Sequence, residues 1–298
     1  MFRLVRTCYF AMKEISLLGA IEIRQLASEL DLIPSKSLGQ NFVHDANICE
    51  KIVRLAGIEE GDRVIEVGPG LGSLSLSILR TGAHLTAVEI DKRLAQRLPV
   101  TLQEHGADPT SFAVINKDAM GLDISDLGGA TSHRYKIVAN LPYNVSVPVI
   151  LHLLQLQISS YAMVMVQSEV ATRLAARPGN KEYGVPSAKV AWYASATLSD
   201  DVPRKVFWPV PRVDSSLLAL EVHPPLADEE LRKVTFKVID HAFNQRRKML
   251  RSSLSRLQPD GHSIEDVLLH AGIDPTSRAE SLSIEGFLAI ARELVSTR

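Results

Sequence analysis

The chain has 298 residues, of which 46% are hydrophobic and 22% charged, and its formal net charge is -1. That balance is ordinary for a soluble globular protein, and it excludes a globally basic nucleic-acid-binding chain, so any surface for a polyanion has to be local. Domains usually run to about 100 to 200 residues, so one large domain with a smaller appendage is expected.

At the N-terminus, Arg3 and Arg6 precede a short apolar run, 8–12, that imitates an export signal, but Lys13 and Glu14 end it too early. Met12 stands as an alternative start. No stretch approaches the roughly 20 apolar residues of a membrane-spanning helix. Cys8 and Cys49 lie far apart with no CxxC pattern, which suits a reduced compartment without a disulfide frame or zinc site. A cytoplasmic protein with no metal and no membrane partner is expected.

Residues 17–32 read as an amphipathic helix, with Leu18, Ile21, Leu26 and Leu30 near helical period and Pro34 as its stop. Residues 1–34 are thus expected to be a helical extension. From Arg63 the pattern changes to short β-rich runs at 63–67, 84–90, 112–116, 135–139 and 161–166. Helical stretches at 73–80, 93–104, 147–157 and 169–176 fall between and after them. Alternation of this kind implies βαβ units and a parallel sheet covered on both faces. A short helix after Pro186, an extended region at 199–207 and a last strand at 215–222 follow. The His223-Pro224-Pro225 tripeptide reads as a linker, and only helical patterns lie beyond it. The expected division is a catalytic domain at 35–222 and a small all-α domain at 226–298.

The run Val64-Ile-Glu-Val-Gly-Pro-Gly-Leu-Gly72 is a strand entering a glycine-rich turn ahead of a helix. Glycines let backbone approach a ligand closely, and a helix start offers free amide donors. The dinucleotide fingerprint would need Gly or Ala at 73, where Ser73 stands, and Pro69 interrupts the turn, so a nicotinamide enzyme is disfavoured. Glu89, at the carboxyl end of the second strand, can accept both ribose hydroxyls of a nucleoside. Asp91, further on, reads as a helix cap. Asp118, at the end of the third strand, can accept from an adenine amino group, although singly it is as readily a turn residue. The inference lies in the conjunction, because open α/β sheets bind ligands along that edge.

The fourth strand ends in Asn140-Leu141-Pro142-Tyr143. An aromatic exocyclic amine is a poor nucleophile because its lone pair is delocalised into the ring. With its N–H groups held by the Asn140 side-chain oxygen and the Leu141 carbonyl, the nitrogen can pyramidalise toward an electrophilic methyl group. Pro142 stiffens the turn, and Tyr143 offers a π face for a base. Positioning and electrostatics then carry the catalysis, with no strong base required.

Taken together, the chain resembles the KsgA family of ribosomal RNA adenine dimethyltransferases. The matching pieces include Leu38-Gly-Gln-Asn-Phe42, Glu66 to Gly72, Glu89-Ile-Asp91, Asp118-Ala119 and Asn140 to Asn144. Gln167 to Val170, Arg177 to Gly184, Phe207 to Ser215 and Phe243 to Leu250 complete the set. Val147, Val210 and Ser168 depart from the family's more usual Thr, Pro and Lys. The resemblance implies a Rossmann-like S-adenosylmethionine-dependent methyltransferase fold, with a mostly parallel seven-stranded sheet and helices on both faces. It implies that Asn41, Val43, Gly68, Glu89, Asp118 and Asn140 hold S-adenosylmethionine. It implies that Phe207 meets the target adenine opposite Tyr143. The implied substrate is a pair of adjacent adenosines in a hairpin near the 3′ end of 16S rRNA, in an assembling small subunit.

Arg246, Arg247, Lys248 and Arg251 fall within six residues of what reads as one helix. Such a cluster can neutralise several phosphates, although a basic helix face is often merely solvated. Lys181 can add a contact. The rivals are an adenine methyltransferase acting on DNA or large-subunit RNA, and a non-catalytic assembly factor that keeps the pocket as a relic.

Overall fold

The computed structural model describes residues 14–32, 41–129 and 134–297. Cys8, Pro34 and the Leu38-Gly-Gln part of the first motif lie outside them. The first elements are α1 (Ala20–Glu29), β1 (Phe42–Val43) and α2 (Ala46–Leu55). Helix α1 is shorter than the expected 17–32, but Leu18, Ile23 and Leu26 are buried beside it. Each fully buried side chain of this size contributes about 1.5–3 kcal/mol, so the segment is part of the core. Helix α2 starts at Asp45, whose carboxylate accepts from the Asn47 N–H at 2.9 Å.

The strand and helix alternation follows: β2 (Arg63–Val67), α3 (Ser73–Leu79), β3 (His84–Glu89), α4 (Lys92–Glu104), β4 (Phe112–Asn116) and β5 (Tyr135–Asn140). Next come α5 (Ser146–Gln155), β6 (Ser159–Gln167), α6 (Ser168–Ala175), α7 (Val185–Val190), β7 (Ala194–Val202), β8 (Phe207–Trp208) and β9 (Ser215–Val222). Seven strands form one sheet in the order β4-β3-β2-β5-β6-β9-β7. The first five are mutually parallel, and β9 runs antiparallel to both β6 and β7. Strands β1 and β8 pair separately, with Val43 opposite Phe207 and Phe42 opposite Trp208.

Successive residues of β2 face opposite sides, as strand geometry requires. Val64 joins a cluster with Leu76, Leu98 and Ile52, from α3, α4 and α2, whereas Ile65 joins Val149 and Leu174 from α5 and α6. Both faces are therefore covered, which explains why the parallel strands read as continuous apolar runs. The expected extended region at 199–207 is only partly a strand. Strand β7 begins at Ala194, and Arg204–Val206 is a 3-10 turn. As an edge strand β7 exposes Ser195 and Leu198 to Ser199, so its apolar pattern is weak.

The chain ends in α8 (Glu229–Asn244), α9 (Leu250–Ser253), α10 (Ile264–His270) and α11 (Ile284–Ser296). Their apolar side chains, including Val238, Leu268 and Phe287, belong to the same cluster as the α5 face of the sheet. Phe236 meets Trp192 and Tyr193 edge-on, with centroids 6.0 and 6.2 Å away. No helix among the described residues is long and apolar enough to cross a membrane.

Candidate active site

The sheet order reverses between β2 and β5, and a ligand crevice is expected outside the carboxyl ends of strands at such a point. A cavity opens there, lined by the turn after β2, the ends of β3, β4 and β5, and the β1 segment. Its floor is the turn Gly68 to Gly72. Gly70 has φ +59°, and a Cβ there would lie 2.9 Å from the Phe42 ring. Gly72 caps α3 at φ +101°, with Leu98 equally close to the place of a Cβ. A side chain at either position is strained by conformation, and the Phe42 ring or the Leu98 methyl would have to shift to admit it.

Glu89 closes the β3 end of the cavity. Its Oε2 accepts the Gly70 N–H at 3.1 Å and its Oε1 the Asp91 N–H at 2.9 Å. Burial raises its pKa above the usual carboxylate range, partly offset by those two bonds. Asp91 caps α4, as its place after the strand suggests. Asp118 lines the cavity and also caps a 3-10 turn, accepting the Met120 N–H at 2.9 Å. Its turn role and its cavity role are therefore compatible.

Glu66 was assigned no role by sequence reasoning, yet it lines this cavity while being only 1% exposed. It accepts the Ser75 hydroxyl at 2.5 Å, and burial pushes its pKa up to about 8, with Glu89 adding to the rise. The available signal was a carboxylate inside a strand apolar on both faces, where a charge is costly.

Asn140 ends β5, and its Nδ2 donates to the Asn41 carbonyl at 3.0 Å. With the nitrogen so engaged, the amide oxygen is the atom left to accept from a ligand. Val43 is tied in turn by the Ser73 hydroxyl, which donates to its carbonyl at 2.6 Å. Gly68 packs directly against Asn140, whose carbonyl lies 3.5 Å from the place of a Gly68 Cβ. Leu141 lines the cavity, and its N–H donates to Met165 O on β6. Tyr143 lines the cavity, its hydroxyl 2.9 Å from Ser215 Oγ.

Phe207 lies outside the cavity lining. It is 1% exposed and belongs to the core on the α2 face. Pairing of β8 with β1 sets it directly opposite Val43.

Residues 34–296 match the family described as "Ribosomal RNA adenine dimethylase". The chain belongs to this family. It is 48% identical to "Ribosomal RNA small subunit methyltransferase A" of Corynebacterium jeikeium, over 94% of this chain and 96% of that one. The protein of the same name from Corynebacterium diphtheriae is 49% identical, over 93% of this chain and 95% of its own. A solved dimethyladenosine transferase from Plasmodium falciparum superposes with a TM-score of 0.71 at 23% identity, covering 86% of this chain and 98% of that one. That likeness shows the shared fold.

The four basic residues do not share one helix. Helix α8 stops at Asn244, a turn closed by the Lys248 N–H to Gln245 O follows, and the Leu250 N–H is taken by Ser277 O. Arg246 pairs with Glu280 at 3.0 Å and donates to the Lys181 carbonyl at 2.5 Å. Arg251 pairs with Glu265 at 3.3 Å. Arg247 and Lys248 are exposed and form no ion pair among the described residues. Among the described residues no group of three or more His, Cys, Asp or Glu side chains is arranged to hold a metal.

Proposed function

We propose that this protein transfers methyl groups from S-adenosylmethionine to the exocyclic N6 of two adjacent adenosines in a hairpin near the 3′ end of 16S rRNA, during assembly of the small ribosomal subunit in the cytoplasm. The observation that carries the reading is the Asn140 amide. Its nitrogen is engaged by Asn41, which leaves its oxygen as the acceptor in a crevice that Tyr143 also lines.

The cavity suits the cofactor on its own chemistry. Glu66, Glu89 and Asp118 surround walls that include Val88, Met120 and Leu141. The buried Glu66 and Glu89 carboxyl groups offer polar partners to a ligand, and the apolar walls favour a nucleoside ring. Bound S-adenosylmethionine supplies an electrophilic methyl on a positively charged sulfur. Glu89 would hold its ribose hydroxyls, Asp118 its adenine amino group, and Gly68 with the Asn41 and Val43 backbone the remainder.

On the acceptor side, the Asn140 oxygen and the Leu141 carbonyl take the two N–H bonds of the target amine, and Tyr143 stacks on the ring. The nitrogen lone pair would form the new bond to the methyl carbon as the carbon–sulfur bond breaks, its electron pair staying with sulfur in the departing S-adenosylhomocysteine. The N–H proton then leaves to solvent, because the methylated nitrogen is strongly acidic. Arg247 and Lys248 are the first phosphate contacts. Arg246 and Arg251 can join them, since exposed ion pairs are worth only about 0–1 kcal/mol and exchange readily. A division into residues 1–34, 35–222 and 226–298 is part of the same proposal.

The test is transfer of radiolabelled methyl to undermethylated small subunits, with naked 16S RNA, large subunits and duplex DNA in parallel, followed by nucleoside analysis. Dimethyladenosine formed with small subunits is the expected result. Label in DNA or large-subunit RNA would overturn the substrate, and binding to subunits without any label would leave an assembly factor.

A further inference from the structure

Tyr143 lies in the loop between β5 and α5, outside any strand pairing, and half-buried. A stacking face must nevertheless be held still, because a misplacement of about 1 Å can cost a factor of about 100 in rate. What fixes the end of the ring is the hydroxyl contact to Ser215 Oγ at 2.9 Å.

Ser215 itself is fully buried and outside the cavity lining. It is the first residue of β9 and pairs in register with Gln167 of β6 and Val202 of β7 at once. Its flanks are tied as well. The Ser168 N–H donates to the Asp214 carbonyl at 3.0 Å, and Ser216 Oγ lies 2.8 Å from both Ser168 Oγ and Asp201 Oδ1. A serine in this place adds little to packing, and its hydroxyl is aimed at the one side chain that joins it to the cavity. The loop that carries the stacking ring is thus anchored to the most constrained end of the neighbouring strand.

We propose that Ser215 is a positioning residue for methyl transfer, setting the orientation of the Tyr143 ring against which the acceptor base stacks; this rests on the function proposed above. Ser215 touches neither cofactor nor acceptor and acts wholly through the tyrosine hydroxyl.

The test is a double-mutant cycle of Ser215→Ala and Tyr143→Phe on the full chain, with undermethylated small subunits as acceptor. kcat, KM for subunits, cofactor affinity by calorimetry and the melting temperature are read for each protein. Each single variant is expected to lower kcat by roughly 3- to 10-fold, the size of one neutral hydrogen bond, at unchanged cofactor affinity. The double variant should be no slower than the slower single one, because both remove the same contact. Wild-type kcat in either single variant, or losses that multiply in the double, would overturn the proposal. If Ser215→Ala fails to fold, Tyr143→Phe still removes the bond without touching β9, and its normal kcat would be equally damaging. Should the wild type itself label no acceptor, the proposed function falls and takes this inference with it; a working wild type matched by its variants removes the inference alone.

Discussion

Replacing Glu66 with Gln is expected to flatten the dependence of stability on pH. Glu66 is buried with one hydroxyl partner, Ser75, and burial raises its pKa from 4.5 to about 8. In the unfolded chain the carboxyl ionises above about pH 4.5, whereas in the folded chain it keeps its proton to about pH 8. Between those values the folded state binds the extra proton, so stability falls as pH rises, and the loss is complete above the folded pKa. At about 1.4 kcal/mol per unit, the interval from pH 5 to pH 7 costs about 3 kcal/mol through this group. Gln keeps an acceptor for Ser75 and has no proton to lose. Its buried NH2 group adds a penalty of about 1–3 kcal/mol that does not vary with pH, so the slope carries the test and the offset does not. For a chain of this size the change amounts to about 5 °C in melting temperature. Thermal melts of cofactor-free wild type and variant at pH 5, 6, 7 and 8 read it directly. Parallel curves across that range would refute the argument.

Asn140→Asp should lower methyl transfer by about 100-fold or more, because a carboxylate cannot donate to the Asn41 carbonyl. Cofactor affinity, measured by calorimetry, should move far less, and near-normal single-turnover rates would end the role given to this amide. Gly72→Ala should cost about 1–3 kcal/mol in chemical denaturation, since it places a Cβ at φ +101° and 2.9 Å from Leu98; an unchanged midpoint would contradict the packing. Arg247→Ala and Lys248→Ala should each weaken RNA binding and reduce the salt slope by about 1. Binding titrations between low and moderate salt decide this, and unaltered slopes would remove both residues from the interface.

Strands bounded by turn residues are the most legible part of the fold. Residues 63–67, 112–116 and 215–222 were delimited to the residue, because β-branched and apolar side chains there are bounded by turn residues on both sides. Helix α2 went unread although Asp45 and the spacing of Cys49, Ile52 and Val53 mark it. The two-residue strands β1 and β8 carry no period at all, and their existence depends on pairing across more than 160 residues of chain. The basic cluster was read as one helix because nothing between Asn244 and Leu250 is a local breaker. Its break comes from a tertiary bond, Leu250 to Ser277. The motif residues Gly68, Glu89, Asp118, Asn140 and Tyr143 all line one cavity. A motif does not report burial, however, and Phe207 is packed in the core on the α2 face.

The segment from Asn41 to Val43 binds both halves of the site through main-chain oxygens, one toward Asn140 and one toward Ser73. A carbonyl is present whatever residue occupies the position. Alanine at 41 or 43 would therefore leave both of these bonds in place, and a mild effect there would say nothing about the importance of the link. Only a change in the path of the chain, such as a one-residue deletion, would cut the glycine-rich turn loose from the amide that faces the acceptor.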